Sequence, residues 1–222
     1  CKTKEITNKK KECHGGGCHI KHYTLKGFER AMPGKHAIVI GSSTGGVEAL
    51  TSILTKLPEN APSIIITQHM PEGFTTSFAK RLDSLCAIRV VEAKSHMRIE
   101  PRTAYIAPGN AHLRVEKVSQ GYALNLDYDS PLVSGHRPSV DVLFESVAKS
   151  MGSYAVGFIL TGMGKDGALG LKKMREMGSK TFGQNEASCV VYGMPKMALQ
   201  MGGVEKEVNL NDIPSLIMQQ CL

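Results

Sequence analysis

The run Ala37-Ile38-Val39-Ile40-Gly41-Ser42-Ser43-Thr44-Gly45-Gly46 decides the fold class. Its aliphatic stretch is short, shows no alternation and is bounded by small turn-forming residues, so it reads as a strand covered on both faces. The small residues turn the chain sharply, and a helix is predicted from about Thr44 to Lys56. The same order recurs at Ser63 to Thr67, a second strand, with a helix near Glu72 to Ser84. Two βα units in succession predict an α/β fold, doubly wound, with a mostly parallel sheet flanked by helices.

Farther along, Arg102 to Ala107, His112 to Val118 and Tyr122 to Tyr128 are short strand-like runs. Pro108-Gly109-Asn110 and Gln120-Gly121 separate them, and this turn chemistry predicts a small antiparallel hairpin edge. Val140, Leu143, Phe144, Val147 and Ala148 recur at spacings of three and four, so Ser139 to Ser150 is expected to be an amphipathic helix. A strand from Tyr154 to Leu160, a helix from about Gly167 to Met177, a weaker strand from Lys180 to Gly183 and short closing elements complete the pattern. No internal repeat is visible.

With 222 residues, 41% hydrophobic and 5% aromatic, the chain can bury one sizeable aliphatic core. The net charge of +7 suggests nucleic acid until its distribution is considered. Residues 1–36 hold nine Lys/Arg against three Glu, a balance of +6, which leaves 7 − 6 = +1 for the remainder. That remainder is nearly neutral, so no nucleic-acid partner is expected. Residues 1–36, with Gly15-Gly16-Gly17 and Pro33-Gly34, read as a basic flexible linker or tail, and residues 37–222 as one globular domain. The first residue is Cys rather than Met, which suggests a fragment or processed chain. No apolar run reaches the roughly 18 to 20 residues of a membrane span, so the protein is expected in the cytoplasm and not inserted in a membrane. Six cysteines at positions 1, 13, 18, 86, 189 and 221 form no framework of close pairs and fit reduced thiols. Cys13, His14, Cys18, His19 and His22 are residue types that bind zinc, but no second knuckle frames them, and no metal or other cofactor is expected.

Three segments carry chemistry. Gly41 to Gly46 lies where a buried strand turns into a helix, whose first N–H groups are free and whose dipole is positive. It supports three readings: a serine-nucleophile turn, a phosphate-cradling loop of a nucleotide-binding enzyme, or a structural tight turn. The spacing is not Gly-x-Gly-x-x-Gly, and no Gly-Lys-Ser/Thr is present, which weighs against the second. Gln68-His69-Met70-Pro71 follows the next strand and places His69 on the rim where open α/β folds build their sites. Leu160-Thr161-Gly162-Met163-Gly164-Lys165-Asp166-Gly167 again follows a strand; Asp166 there is either the orienting carboxylate of an imidazole or a helix N-cap. Serine, histidine and aspartate at three separate strand ends favour one shared site.

From about His36 onward the chain resembles the catalytic domain of the chemotaxis protein-glutamate methylesterases. The resemblance is carried by Ile40 to Gly46, Gln68-His69-Met70, Tyr105-Ile106-Ala107-Pro108-Gly109, His136-Arg137-Pro138-Ser139-Val140-Asp141, Leu160 to Gly167, and Val190-Val191-Tyr192-Gly193-Met194-Pro195. It implies that Ser43, not Ser42, is the nucleophile, with His69 as general base and Asp166 as its orienting carboxylate. It further implies an oxyanion donor in the backbone N–H of Met163 and a place in the active-site turn for Thr44. The substrates implied are glutamate methyl esters on methyl-accepting chemotaxis receptors, with receptor glutamines as a second, deamidated substrate. A receiver domain commonly precedes the linker in this family. A receptor-binding module that keeps the fold without catalysis is the remaining alternative.

Overall fold

The computed structural model describes residues 37–220, and Ile38, Val39 and Ile40 in its first strand are wholly shielded from solvent. The linker or tail of residues 1–36 and the Cys/His cluster within it lie outside the described residues. Strand β1 (Ala37–Ser42) pairs in parallel with β2 (Ser63–Gln68) on one side and β7 (Ala155–Ile159) on the other. Beyond β2 come β4 (Thr103–Ile106) and β3 (Arg89–Glu92); beyond β7 come β8 (Lys180–Gln184) and β9 (Lys206–Val208). All seven are parallel, in the order β3-β4-β2-β1-β7-β8-β9.

Alternation along β1 and β2 divides the core. Ile38, Ile40, Ile64 and Ile66 face helices α1 (Gly46–Leu54), α2 (Phe74–Leu85) and α6 (Ile213–Gln220). Val39 and Ile65 face the opposite layer of α3 (Val140–Ser150), α4 (Ala168–Glu176) and α5 (Met194–Gln200). Each fully buried isoleucine or valine is worth about 1.5–3 kcal/mol by transfer from water, so the sheet is fixed by burial on both faces.

Strands β5 (His112–Val118) and β6 (Gly121–Asp127) form a separate antiparallel sheet, whose Leu113, Val115 and Leu124 join the α3 side of the core. The hairpin expected from the turn residues is present, but the run Arg102–Ala107 is not part of it. Thr103–Ile106 is buried on both faces and lies between β2 and β3. Strand β3 is an addition to the elements read from sequence. The helices begin later than expected, at Gly46 and Phe74, because the residues before them are spent on the turns. No helix among the described residues is long and apolar enough to cross a membrane.

The chain runs outward from β1 through β2, then returns past it to β7. Strands β2, β1 and β7 are therefore neighbours at the point where the winding reverses, the place where open α/β sheets leave a crevice at their carboxyl ends.

Candidate active site

Three loops leave this crevice, and backbone hydrogen bonds join them beyond the strands. Ser43 N–H donates to Thr161 O at 3.0 Å, and His69 N–H to Ser42 O at 3.1 Å. The two serines at the end of β1 have opposite fates. Ser42 is inaccessible, and its hydroxyl donates to Gln68 Oε1 at 2.7 Å. Ser43 is partly exposed, and its Oγ lies 3.1 Å from His69 Nδ1. Gln68 braces both loops, donating from Nε2 to Ser43 O (2.9 Å) and His69 O (3.1 Å). Close approach makes the rest possible: a Cβ at Gly162 would stand 2.8 Å from Ser43 Cβ and 2.2 Å from Met194 Sδ.

His69 Nε2 lies 2.8 Å from Asp166 Oδ2. A carboxylate only accepts, so Nε2 carries the proton, Nδ1 is bare, and the Ser43 hydroxyl donates to it. The ring nitrogens thus have the reverse roles of those in the chymotrypsin-type arrangement, with the same connectivity of serine, imidazole and carboxylate.

Asp166 does not cap its own helix. Gly167, at φ +89°, occupies the N-cap of α4, a backbone conformation that L side chains rarely adopt. The Asp166 carboxylate instead accepts from the start of α3: Val140 N–H at 2.7 Å, Asp141 N–H at 3.0 Å and the Ser139 hydroxyl at 2.7 Å. Burial pushes its pKa upward, but the hydrogen bonds from His69, Asp141, Ser139 and Val140 outweigh burial and leave it below the ordinary carboxylate value. The positive end of the α3 dipole acts in the same direction. An ionised carboxylate is therefore available to hold the imidazole.

His136 stacks on His69 with ring centroids 3.7 Å apart and planes inclined by 14°. Burial and the neighbouring imidazole lower its pKa, against the pull of Asp166, which favours an uncharged ring over His69. Beside this stack opens a cavity of about 350 Å³, lined by His69, Met70, Pro71, Leu132, His136 and Arg137. Arg137 Nη1 donates to Tyr128 O and Ser130 O, fixing the loop that forms the cavity's far wall. A second cavity of about 600 Å³ shares Gly109 with it but holds none of the three relay residues.

Thr44 and Met163 flank Ser43, both exposed at the rim. Among the described residues the N–H groups of Thr44 and Met163 meet no acceptor, whereas Gly162 N–H is taken by Val191 O. The two described cysteines, Cys86 and Cys189, are free. Burial raises both thiols, Cys189 to about 11, so neither is a thiolate nucleophile near neutral pH.

Several site residues were missed in the sequence. Gln68 and Gln184 are buried amides at the carboxyl ends of β2 and β8, a position that does mark them; Gln184 Oε1 accepts from Thr161 N–H at 2.9 Å. Ser139 and Asp141 stood in the sequence as the opening of an amphipathic helix and within a segment that carries the resemblance, with no role assigned to either.

Fold and side chains together define a class: a doubly wound α/β protein with a serine–histidine–aspartate relay at the reversal point of its sheet. The family model "CheB methylesterase" matches residues 38–217, and the chain belongs to that family. A protein-glutamate methylesterase/protein-glutamine glutaminase of Methylobacillus flagellatus is 56% identical over 182 residues, 82% of this chain and 51% of that protein. Its namesake 1 from Geobacter metallireducens is 56% identical over 195 residues, 88% of this chain and 52% of the relative. The crystal structure of the Thermotoga maritima CheB methylesterase catalytic domain superposes with a TM-score of 0.81 at 38% identity, covering 84% of this chain and 98% of that one. The chain thus spans about half the length of the curated relatives it matches.

Proposed function

We propose that residues 37–222 form the catalytic domain of a protein-glutamate methylesterase that also deamidates glutamine, acting on chemoreceptors in the cytoplasm. The observation that carries this reading is the pair of contacts at His69, 3.1 Å to Ser43 Oγ and 2.8 Å to Asp166 Oδ2. Ser43 Oγ attacks the ester carbonyl of a methylated glutamate while His69 Nδ1 takes its proton. Asp166 holds the ring through Nε2–H and stabilises the imidazolium. The imidazolium returns the proton to the departing methoxide, methanol leaves, and a glutamyl ester of Ser43 remains. Water, deprotonated by His69, then hydrolyses that ester and restores the serine. The same steps release ammonia from glutamine. The N–H groups of Met163 and Thr44 face the developing oxyanion, and losing one such donor typically costs on the order of a hundred- to a thousandfold in rate. The length of the relatives supports a further domain in the whole protein, and a phospho-accepting receiver is the input we propose for it.

The phosphate-loop alternative loses two of its donors. Ser43 N–H is given to Thr161 O and Gly46 N–H to Ser43 O, and the Cβ position of Gly46 is filled by Gln68 Oε1 at 2.0 Å. The test is a fluorophosphonate probe followed by methanol release from methylated receptor membranes. Labelling at Ser43, abolished in Ser43→Ala together with methanol release, is the expected result. An unlabelled, folded protein that binds receptors would make it a non-catalytic module.

A further inference from the structure

Asp141 is a buried carboxylate that the relay does not use. It is the second residue of α3, 7% exposed, and its Oδ1 accepts from Gly170 N–H at 2.7 Å. Gly170 is the third residue of α4, so that N–H is one of the donors a helix start leaves unpaired. Asp166, just ahead of α4, does the converse by accepting from the first two N–H groups of α3. Two helices therefore cap each other through two carboxylates, one of which holds His69. Gly170 permits the crossing: a Cβ there would stand 2.9 Å from the Asp141 carbonyl oxygen.

We propose that Asp141 is a positioning residue for the relay, fixing the place of Asp166 through this reciprocal cap and adding its own negative charge behind it. The proposal rests on the acyl-transfer reading above. Burial raises the Asp141 carboxyl, hydrogen bonds from Gly170 and Gly167 oppose it, and the charges of Asp166 and Glu145 add to it, bringing it to about 6. The other charged and titratable groups around it are Lys173 on α4, paired with Glu145 at 2.6 Å, and His112 on β5, whose Nδ1 accepts from Ser139 N–H. Across Asp166 stand His69 and the stacked His136. Asp141 thus changes charge near pH 6 while Asp166 stays ionised. A negative charge behind Asp166 favours an imidazolium at His69, and its loss disfavours one.

The experiment is the rate of fluorophosphonate labelling at Ser43 against pH in the 222-residue chain, for wild type, Asp141→Asn and Asp141→Ala. D141N keeps an acceptor for Gly170 N–H but never carries the charge. Its plateau above pH 8 should lie within about threefold of wild type, and its acid limb should move down by about half a pH unit or more, as one nearby charge requires. D141A loses the acceptor and should label about tenfold slower or worse at every pH, since a relay member held loosely loses its geometry. An acid limb of D141N that coincides with wild type overturns the proposal, as does a D141A profile identical to wild type. A wild type that does not label at all overturns the acyl-transfer reading itself. Where D141N does not fold, NMR of the wild-type Asp141 carboxyl carbon decides: titration in step with the labelling rate supports the coupling, and titration with no change in rate overturns it.

Discussion

Ser42 and Ser43 differ by one position, and everything about the proposed chemistry depends on which of them reaches His69. Local sequence does not separate them, because both are small residues in one turn; only the family resemblance chose Ser43. What separates them physically is the end of β1, which buries Ser42 against Gln68 and leaves Ser43 toward the crevice. Ser42→Ala should therefore cost stability rather than turnover. It leaves Gln68 Oε1 buried without a donor, a loss of about 1–3 kcal/mol in urea unfolding, while the labelling rate stays within about threefold of wild type. Asp166 behaves differently, since both of its oxygens accept and the four donors come from His69, Ser139, Val140 and Asp141. An asparagine in either orientation turns its amide donors toward a backbone N–H. Asp166→Asn should lose about four orders of magnitude in rate through the imidazole tautomer. It should also lose on the order of 2 kcal/mol through the α3 cap. A variant that keeps wild-type stability while losing activity would show that α3 does not depend on this carboxylate. The two readings of Asp166 drawn from the sequence, imidazole partner and helix cap, turn out to be compatible, although the helix it serves is α3 and not its own.

At the scale of elements, the strands with two buried faces were legible and the edges were not. Ala37–Ser42, Ser63–Gln68 and Ala155–Ile159 are continuous apolar runs next to turn residues, and the sequence places them within a residue or two. Strand β3 has four residues of which only Val90 is buried, too little periodicity to stand out from a loop. Strand β4 was grouped with the hairpin because turn residues follow it, yet Ala104-Tyr105-Ile106 is as apolar as the central strands and pairs with β2. Close approach between elements is equally invisible in a linear reading. Read linearly, Gly162 is one of two glycines that let the chain pass close to a ligand, and in the fold it lets the β7 loop lie against Ser43 and Met194. Gly162→Ala places a methyl group where Ser43 Cβ and Met194 Sδ now stand. Met194 has rotamers with which to yield, but Ser43 is held by its backbone bond to Thr161. Displacement of the hydroxyl by something near an ångström costs about a hundredfold in rate. Labelling kinetics on a variant with a native melting curve measure this directly, and an unchanged rate would mean that the loops separate without disturbing the relay.

For the molecule as a whole, charge and chemistry are separated along the chain. Ser43, His69 and Asp166, the helices that brace them and the cavity beside them all fall within residues 37–220, a region close to neutral. Six of the seven net positive charges fall within residues 1–36. A chain beginning at residue 37 should therefore fold and label Ser43 at the rate of the 222-residue chain, because no member of the relay or its bracing is removed. Receptor membranes pose a different demand, since nine cationic side chains attract an acidic surface over a range set by salt. The Debye length is about 10 Å at 0.1 M and 3 Å at 1 M. The longer chain should release methanol from receptor membranes faster than the shorter one at low ionic strength, and the two should converge as salt rises, while labelling by the small probe stays equal throughout. A zinc chelator, added in a parallel arm, should leave both chains unchanged. Slower labelling of the shorter chain would show that residues 1–36 support the site itself, and a chelator effect confined to the longer chain would mean that its Cys13, His14, Cys18 and His19 bind a metal that contributes to turnover.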